Sequence, residues 1–263
     1  MNIASIVELC TLNPNGGIAV WSLRLMEFLK EHGLNTRIFS YGDGIETNLP
    51  KFMIMYPNFR EIFIYPRLAK TIFPEMEKNY DVFHAMSPHT LSGGRPKMPT
   101  MISIHYLVSR QAMMLGRYLP LKYKIYFNSA SYHLFRIHER RGLNNADCIT
   151  VSRQAYKNYL VEKMEIPEEK IEVVKYGIDY QFFRPSETKT DKEATAIYVG
   201  RGSLPKGFDT LVEAAPSIKG KIVAVAAQIP EFLQKKIAEL DNFEVVSGIS
   251  LEELRHRYQE RLV

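Results

Sequence analysis

The chain has 263 residues, 46% hydrophobic and 24% charged, with a net charge of +5; this globular balance excludes a disordered or collagen-like chain and supplies a sizeable core. Its two cysteines, Cys10 and Cys148, sit beside apolar strand-like segments and read as buried thiols in a reducing compartment, not as a disulfide scaffold. No uncharged apolar run approaches the roughly 18–20 residues that span a bilayer, and the N-terminus enters a strand with no basic stretch leading into an apolar one, so the expectation is a cytoplasmic protein, with peripheral contact at the inner face of the membrane open.

Residues 2–9 read as a short apolar strand. Residues 11–17 form a turn-rich loop ending in Gly16 and Gly17. Residues 18–31 read as an amphipathic helix with Val20, Leu23 and Phe28 inward, and residues 36–41 as a returning strand. This is a βαβ unit with a glycine pair at its first turn, where open α/β sheets bind ligands. The pair also serves as a plain tight turn. Residues 52–55 and 62–65 look like short strands, and residues 68–78 like a helix interrupted by Pro74.

Residues 81–84 and 100–105 read as strands ending in His84 and His105. Parallel sheets place ligands at that edge, although a lone histidine at a strand end is commonly structural. Residues 109–141 are helical in tendency and basic, with Arg110, Arg117, Lys122, Lys124, Arg136, Arg140 and Arg141 against Glu139. They suit core helices with solvated faces, or a basic amphipathic surface for anionic lipid. No base-reading motif accompanies the charge, so nucleic acid is not an expected partner. A strand over residues 146–151 is followed by Ser152 as the cap of a helix to about residue 163. Another strand lies near 171–174, and the polar stretch 185–193 reads as a hinge.

The second domain opens on a strand ending at Gly200 and Arg201. A turn with Gly202, Pro205, Lys206 and Gly207 follows, then a helix with Phe208, Leu211, Val212 and Ala215 on one face. A turn between a strand end and a helix N-terminus suits an anion through backbone N–H groups and the helix dipole. Arg201 can fork two phosphate oxygens and Lys206 adds a point charge, which suits a diphosphate. An ordinary βα turn with two solvated cations uses the same residues. A Walker A loop is excluded by spacing. A Gly-x-Gly-x-x-Gly dinucleotide fingerprint is broken by Pro205. Residues 221–227 and 243–246 read as strands and residues 230–240 and 251–260 as helices, the last with a Ser250–Glu253 capping box.

The run Val199-Gly200-Arg201, then Lys206-Gly207-Phe208-Asp209 and Leu211-Val212-Glu213-Ala214, resembles the donor-binding loop of retaining glycosyltransferases of the GT-B fold, in glycosyltransferase family 4 (group 1). Residues 81–84 (Asp-Val-Phe-His), Ile104-His105-Tyr106, and the block from Ala146 through Pro185 resemble further segments of that family in order. Tyr106 stands where the family has Asp, Tyr176 where it has Asn, and Gly202 where it often has Leu. The resemblance implies two Rossmann-like parallel-sheet domains: an acceptor-side domain over 1–184, the hinge 185–193, and a nucleotide-sugar-binding domain over 194–263. The second is incomplete, since only three of about six strands are counted before residue 263. The expectation is a fragment or a shortened member.

The resemblance further implies transfer of a sugar from a UDP- or GDP-linked donor to a hydroxyl of a lipid-linked or glycan acceptor, with retention. Arg201 and Lys206 would bind the diphosphate, Gly16 and Gly17 would admit phosphate or acceptor to the backbone, and His105 would lie near the reacting carbon, with His84 at the site edge. No cofactor and no metal are expected: two cations and a helix dipole face the leaving diphosphate, and the sequence has no Asp-x-Asp or clustered ligands. Two other readings stay open, a non-catalytic nucleotide-binding subunit and an NAD(P)-dependent oxidoreductase; the first βα loop carries no intact fingerprint for the latter.

Overall fold

The computed structural model describes residues 1–7, 17–40, 62–115, 129–184 and 195–259. The chain divides into two compact units, Met1–Tyr176 and Gly177–Val263. The expected strand at 52–55, Gly16, Cys10 and the expected hinge lie outside the described residues.

Unit 1 is a six-stranded parallel sheet in the order β2-β1-β3-β4-β5-β6. The strands are β1 (Asn2–Val7), β2 (Asn35–Ser40), β3 (Val82–Ala85), β4 (Thr100–Ile104), β5 (Cys148–Val151) and β6 (Ile171–Val173). The helices are α1 (Gly17–Glu31), α2 (Tyr65–Asn79), α3 (Val108–Leu115), α4 (Ser129–Asn145) and α5 (Gln154–Met164). A parallel sheet needs crossovers, and helices in the crossovers bury its faces, which is why its strands are apolar nearly throughout. Phe83, Ile102, Ile149, Leu143 and Leu160 form the centre of the core. Gly142 lets α4 touch the turn at Pro88: a Cβ there would stand 1.7 Å from the Pro88 carbonyl oxygen.

Four local expectations change. Ile62 and Phe63 are helical and Tyr65 opens α2, where a strand was expected. Pro74 is carried inside α2 without ending it. On α1, Val20 and Phe28 point outward, 45% and 54% exposed, while Leu23 packs on Met86 as expected, together with Ile18, Trp21 and Leu25. Arg153, not Ser152, occupies the N-cap of α5, with no side-chain cap bond.

Unit 2 holds a three-stranded parallel sheet, β7-β8-β9. Its strands are β7 (Thr195–Arg201), β8 (Lys221–Ala227) and β9 (Phe243–Val246), with α6 (Phe208–Ala214), α7 (Glu231–Ile237) and α8 (Leu251–Gln259). Phe208, Val212, Ala224, Leu233 and Ile237 make its core. The Glu253 N–H donates to Ser250 Oγ at 3.1 Å, one half of the expected box at the start of α8. Residues 177–184, expected with the first domain, belong to this unit: Phe183 packs on Tyr258 of α8 at 6.0 Å, and the Gln259 amide donates to the Arg184 carbonyl at 2.9 Å. Among the described residues, no helix is long and apolar enough to cross a membrane.

Candidate functional site

All six strands of unit 1 run parallel, so their C-terminal ends share one edge. Three aromatic side chains meet there from distant parts of the chain. Trp21 comes from the second turn of α1, His105 follows β4 directly, and Tyr176 lies just past β6. The Trp21 ring stands 4.6 Å from the His105 ring at 74°, edge to face. Tyr176 lies 5.1 Å from His105 and 5.4 Å from Trp21. Its hydroxyl is 2.8 Å from His105 Nδ1 and donates to the Ile104 carbonyl at 3.3 Å.

His105 Nε2 is buried and has no hydrogen-bond partner among the described residues. Burial pushes the imidazole down to about 4, so the ring is neutral at physiological pH. A neutral ring with one nitrogen held and the other unpaired can give or take one hydrogen bond with a ligand. Tyr106, in place of the family's aspartate, is 36% exposed beside it.

His84 is placed differently from the expectation. It lies inside β3, which ends at Ala85, and is 1% exposed. Its Nε2 is 2.8 Å from Ser103 Oγ, and Ser103 Oγ is 2.7 Å from Thr150 Oγ1. The imidazole thus belongs to a polar row through the sheet, behind the edge. Burial, and then the neighbouring His105, push it down to about 4.

Gly17 is the first residue of α1 and exposed. A Cβ there would meet nothing within 4 Å among the described residues. A second buried polar group was not foreseen: Glu139 on α4 is fully buried. It accepts the Ser109 N–H at 3.1 Å and also the Ser109 hydroxyl, so it caps the start of α3 from a neighbouring helix. Of the basic stretch read either as solvated core helices or as a lipid-facing surface, Arg117, Lys122 and Lys124 lie outside the described residues, and three others have partners within the fold. The Arg110 guanidinium covers the rings of Tyr156 and Tyr159 at 5.2 and 5.0 Å, Arg136 donates to the Lys163 carbonyl, and Arg140 pairs with Glu165.

In unit 2, Arg201 ends β7 and Lys206 ends the 3-10 turn Leu204–Lys206, and both are exposed. The Tyr198 hydroxyl donates to the Arg201 carbonyl at 2.7 Å and so fixes the strand end. Gly207 adopts φ 68°, the left-handed conformation that links the turn to α6. The turn is more self-contained than the expected open anion loop. The N–H groups of Gly202, Lys206 and Gly207 already donate to Ala227, Ser203 and Leu204. Asp209 occupies the first turn of the short helix α6, and its charge opposes an anion there. An anion at this place would therefore meet mainly the two side chains.

A protein-family model described as Glycosyltransferase Family 4 matches residues 15–182. No curated protein matches the chain. Among solved structures, a glycosyltransferase from Rickettsia africae is similar with TM-score 0.60 and 18% identity, over 98% of this chain and 70% of its own. HepE of Anabaena, in complex with UDP-glucose, is similar with TM-score 0.64 and 14% identity, over 98% and 72%. A lipopolysaccharide outer core galactosyltransferase, WaaB, is similar with TM-score 0.58 and 12% identity, over 100% and 72%.

Proposed function

The chain belongs to glycosyltransferase family 4, and from that premise we propose that it moves a sugar from a UDP- or GDP-linked donor to a hydroxyl of a lipid or glycan acceptor, with retention. Its α/β fold of Rossmann-like parallel sheets is GT-B-like. The observation that carries the proposal in unit 2 is the pair of exposed cations, Arg201 at the end of β7 and Lys206 in the following turn. UDP-glucose in HepE supports a uridine donor as the first probe. The substrate implied by the name of WaaB supports a glycan or lipid-linked acceptor.

In such a transfer, the bond from the anomeric carbon to the diphosphate oxygen breaks, and negative charge grows on the leaving diphosphate. Fixed cations at that place lower the barrier because they need no reorganisation as the charge develops. Arg201 can bind two oxygens in its planar fork, and Lys206 supplies a compact point charge. These two cations carry the charge compensation without a metal ion. In unit 1, His105 contacts the reacting group through its unpaired Nε2, and Gly17 leaves the start of α1 open to a phosphate or the acceptor. The reaction takes place on the cytoplasmic side.

Calorimetric titration with UDP, GDP and NAD tests the reading. UDP or GDP should bind at least tenfold more tightly than NAD. Preference for NAD would contradict it.

A further inference from the structure

The Tyr176 phenol oxygen meets two groups: the Ile104 carbonyl at 3.3 Å and His105 Nδ1 at 2.8 Å. A carbonyl oxygen only accepts. When both bonds are made, the phenol hydrogen points to Ile104, and a phenol lone pair accepts from His105. Nδ1 is then the protonated ring nitrogen.

The opposite arrangement has the phenol donate to Nδ1. It loses the bond to Ile104 and puts the ring proton on Nε2, which is buried and unpartnered among the described residues. Leaving a buried donor unmatched costs about 1–3 kcal/mol, and orphaned buried N–H groups are rarer than under-satisfied acceptors. Both arguments select the same tautomer. Trp21 packs edge-on against the imidazole and Tyr176 lies along it, so the ring is held between two aromatic neighbours.

We propose that Tyr176 is a positioning residue for His105: it fixes the neutral tautomer with Nδ1 protonated and so presents Nε2 as a hydrogen-bond acceptor for a hydroxyl group of the bound substrate. The hydroxyl reaches Nε2 when the side chains that cover it shift. This rests on the sugar-transfer reading, which supplies the hydroxyl. In this chain the phenol does its work at a position where the resembled family carries a carboxamide, which either donates or accepts. The phenol's bond to the Ile104 carbonyl leaves its oxygen free only to accept, and that specifies one tautomer.

The test is nitrogen-15 NMR of imidazole-labelled full chain, with His105 assigned by comparison with His105→Asn. The wild-type resonances should show a protonated Nδ1 and an unprotonated Nε2. Tyr176→Phe should move the proton to Nε2. In a sugar-transfer assay, the same variant should lower kcat at least tenfold while leaving the affinity for free UDP within twofold. A wild-type ring protonated on Nε2 overturns the proposal, and this measurement needs no folded variant. A tautomer unmoved in Tyr176→Phe, or a moved tautomer with kcat unchanged, overturns it too. Absence of transfer by the wild type with any donor defeats the sugar-transfer reading and with it the catalytic part of the proposal, while the wild-type spectrum still decides the tautomer.

Discussion

Gly202 and Ile229 share one space in unit 2: a Cβ on Gly202 would stand 2.4 Å from Ile229 Cγ1 and 3.1 Å from its Cα. Gly202 is the position where the resembled family often carries leucine. Here the side chain of Ile229 fills the place, from the segment after β8. The glycine is therefore matched to its partner by packing and is not a free variation of the turn.

Gly202→Ala should accordingly destabilise unit 2 by about 1–3 kcal/mol, the usual cost of overpacking. Ile229→Ala should lose stability alone but relieve the clash, so the double variant should be more stable than the sum of the single effects allows. Urea denaturation of the four proteins checks this. Strict additivity would contradict the shared-space account.

Arg201→Ala and Lys206→Ala should each weaken UDP binding by about tenfold or more, because a hydrogen bond to a charged group contributes about 1.5–3 kcal/mol. Arg201→Lys should restore only part of the loss, since an ammonium cannot fork two oxygens. Titration calorimetry reads both. Retained affinity in the alanine variants would show that the turn does not hold the diphosphate.

Trp21 is the single tryptophan of the chain, and its ring lies against His105. A ligand that bonds His105 must disturb that contact, so saturating sugar donor should change the tryptophan emission. Trp21→Phe should abolish the signal without removing nucleotide binding. No emission change at saturation would place the ligand away from this edge.

His84 carries a pH dependence whose sign follows from burial. Its folded-state value lies near 4 against an ordinary 6.5, with desolvation the larger cause and His105 the smaller. Between those values the unfolded chain binds the proton and the folded chain does not. Stability therefore falls as pH drops from 6.5 toward 4, by up to roughly 3 kcal/mol from this group. Equilibrium unfolding of wild type and His84→Asn at pH 7 and pH 4.5 should show a smaller loss in the variant. Equal losses would mean that His84 stays out of this titration.

Much of this architecture was legible in the sequence. The strands Lys221–Ala227 and Phe243–Val246 lie at their expected residues, because short apolar runs bounded by turn residues are unambiguous in a chain already read as βαβ. Residues 62–65 were not: four apolar residues suit a strand or a helix equally, since periodicity has no length over which to act. On α1 Leu23 was read correctly as inward, but Val20 and Phe28 were not, because the apolar residues nearly encircle the helix. Trp21 was passed over for the same reason, although it was the lone tryptophan one turn after a glycine pair.

The site divides similarly. His105, Arg201 and Lys206 stood out by position at strand ends and by motif. The bond from Tyr176 to His105 spans 71 residues and exists only because parallel strands bring the ends of β4 and β6 to one edge. The signal that could have suggested it was the replacement of the family's asparagine at 176. Ser152 was expected to cap α5; instead Arg153 takes the N-cap. The burial of Glu139 was not foreseen because its role, capping the preceding helix α3, needs the tertiary fold.

The most direct test of the central claim is transfer itself. The purified chain is incubated with UDP-glucose, UDP-galactose or GDP-mannose and with lipid-linked or glycan hydroxyl acceptors, and nucleoside diphosphate release and product anomer are followed by NMR. The account predicts acceptor-dependent release of UDP or GDP, a product with the anomeric configuration of the donor, and loss of both on Arg201→Ala with Lys206→Ala. A product of inverted configuration would contradict retention. Turnover untouched by the double substitution would contradict the assignment of the diphosphate to Arg201 and Lys206.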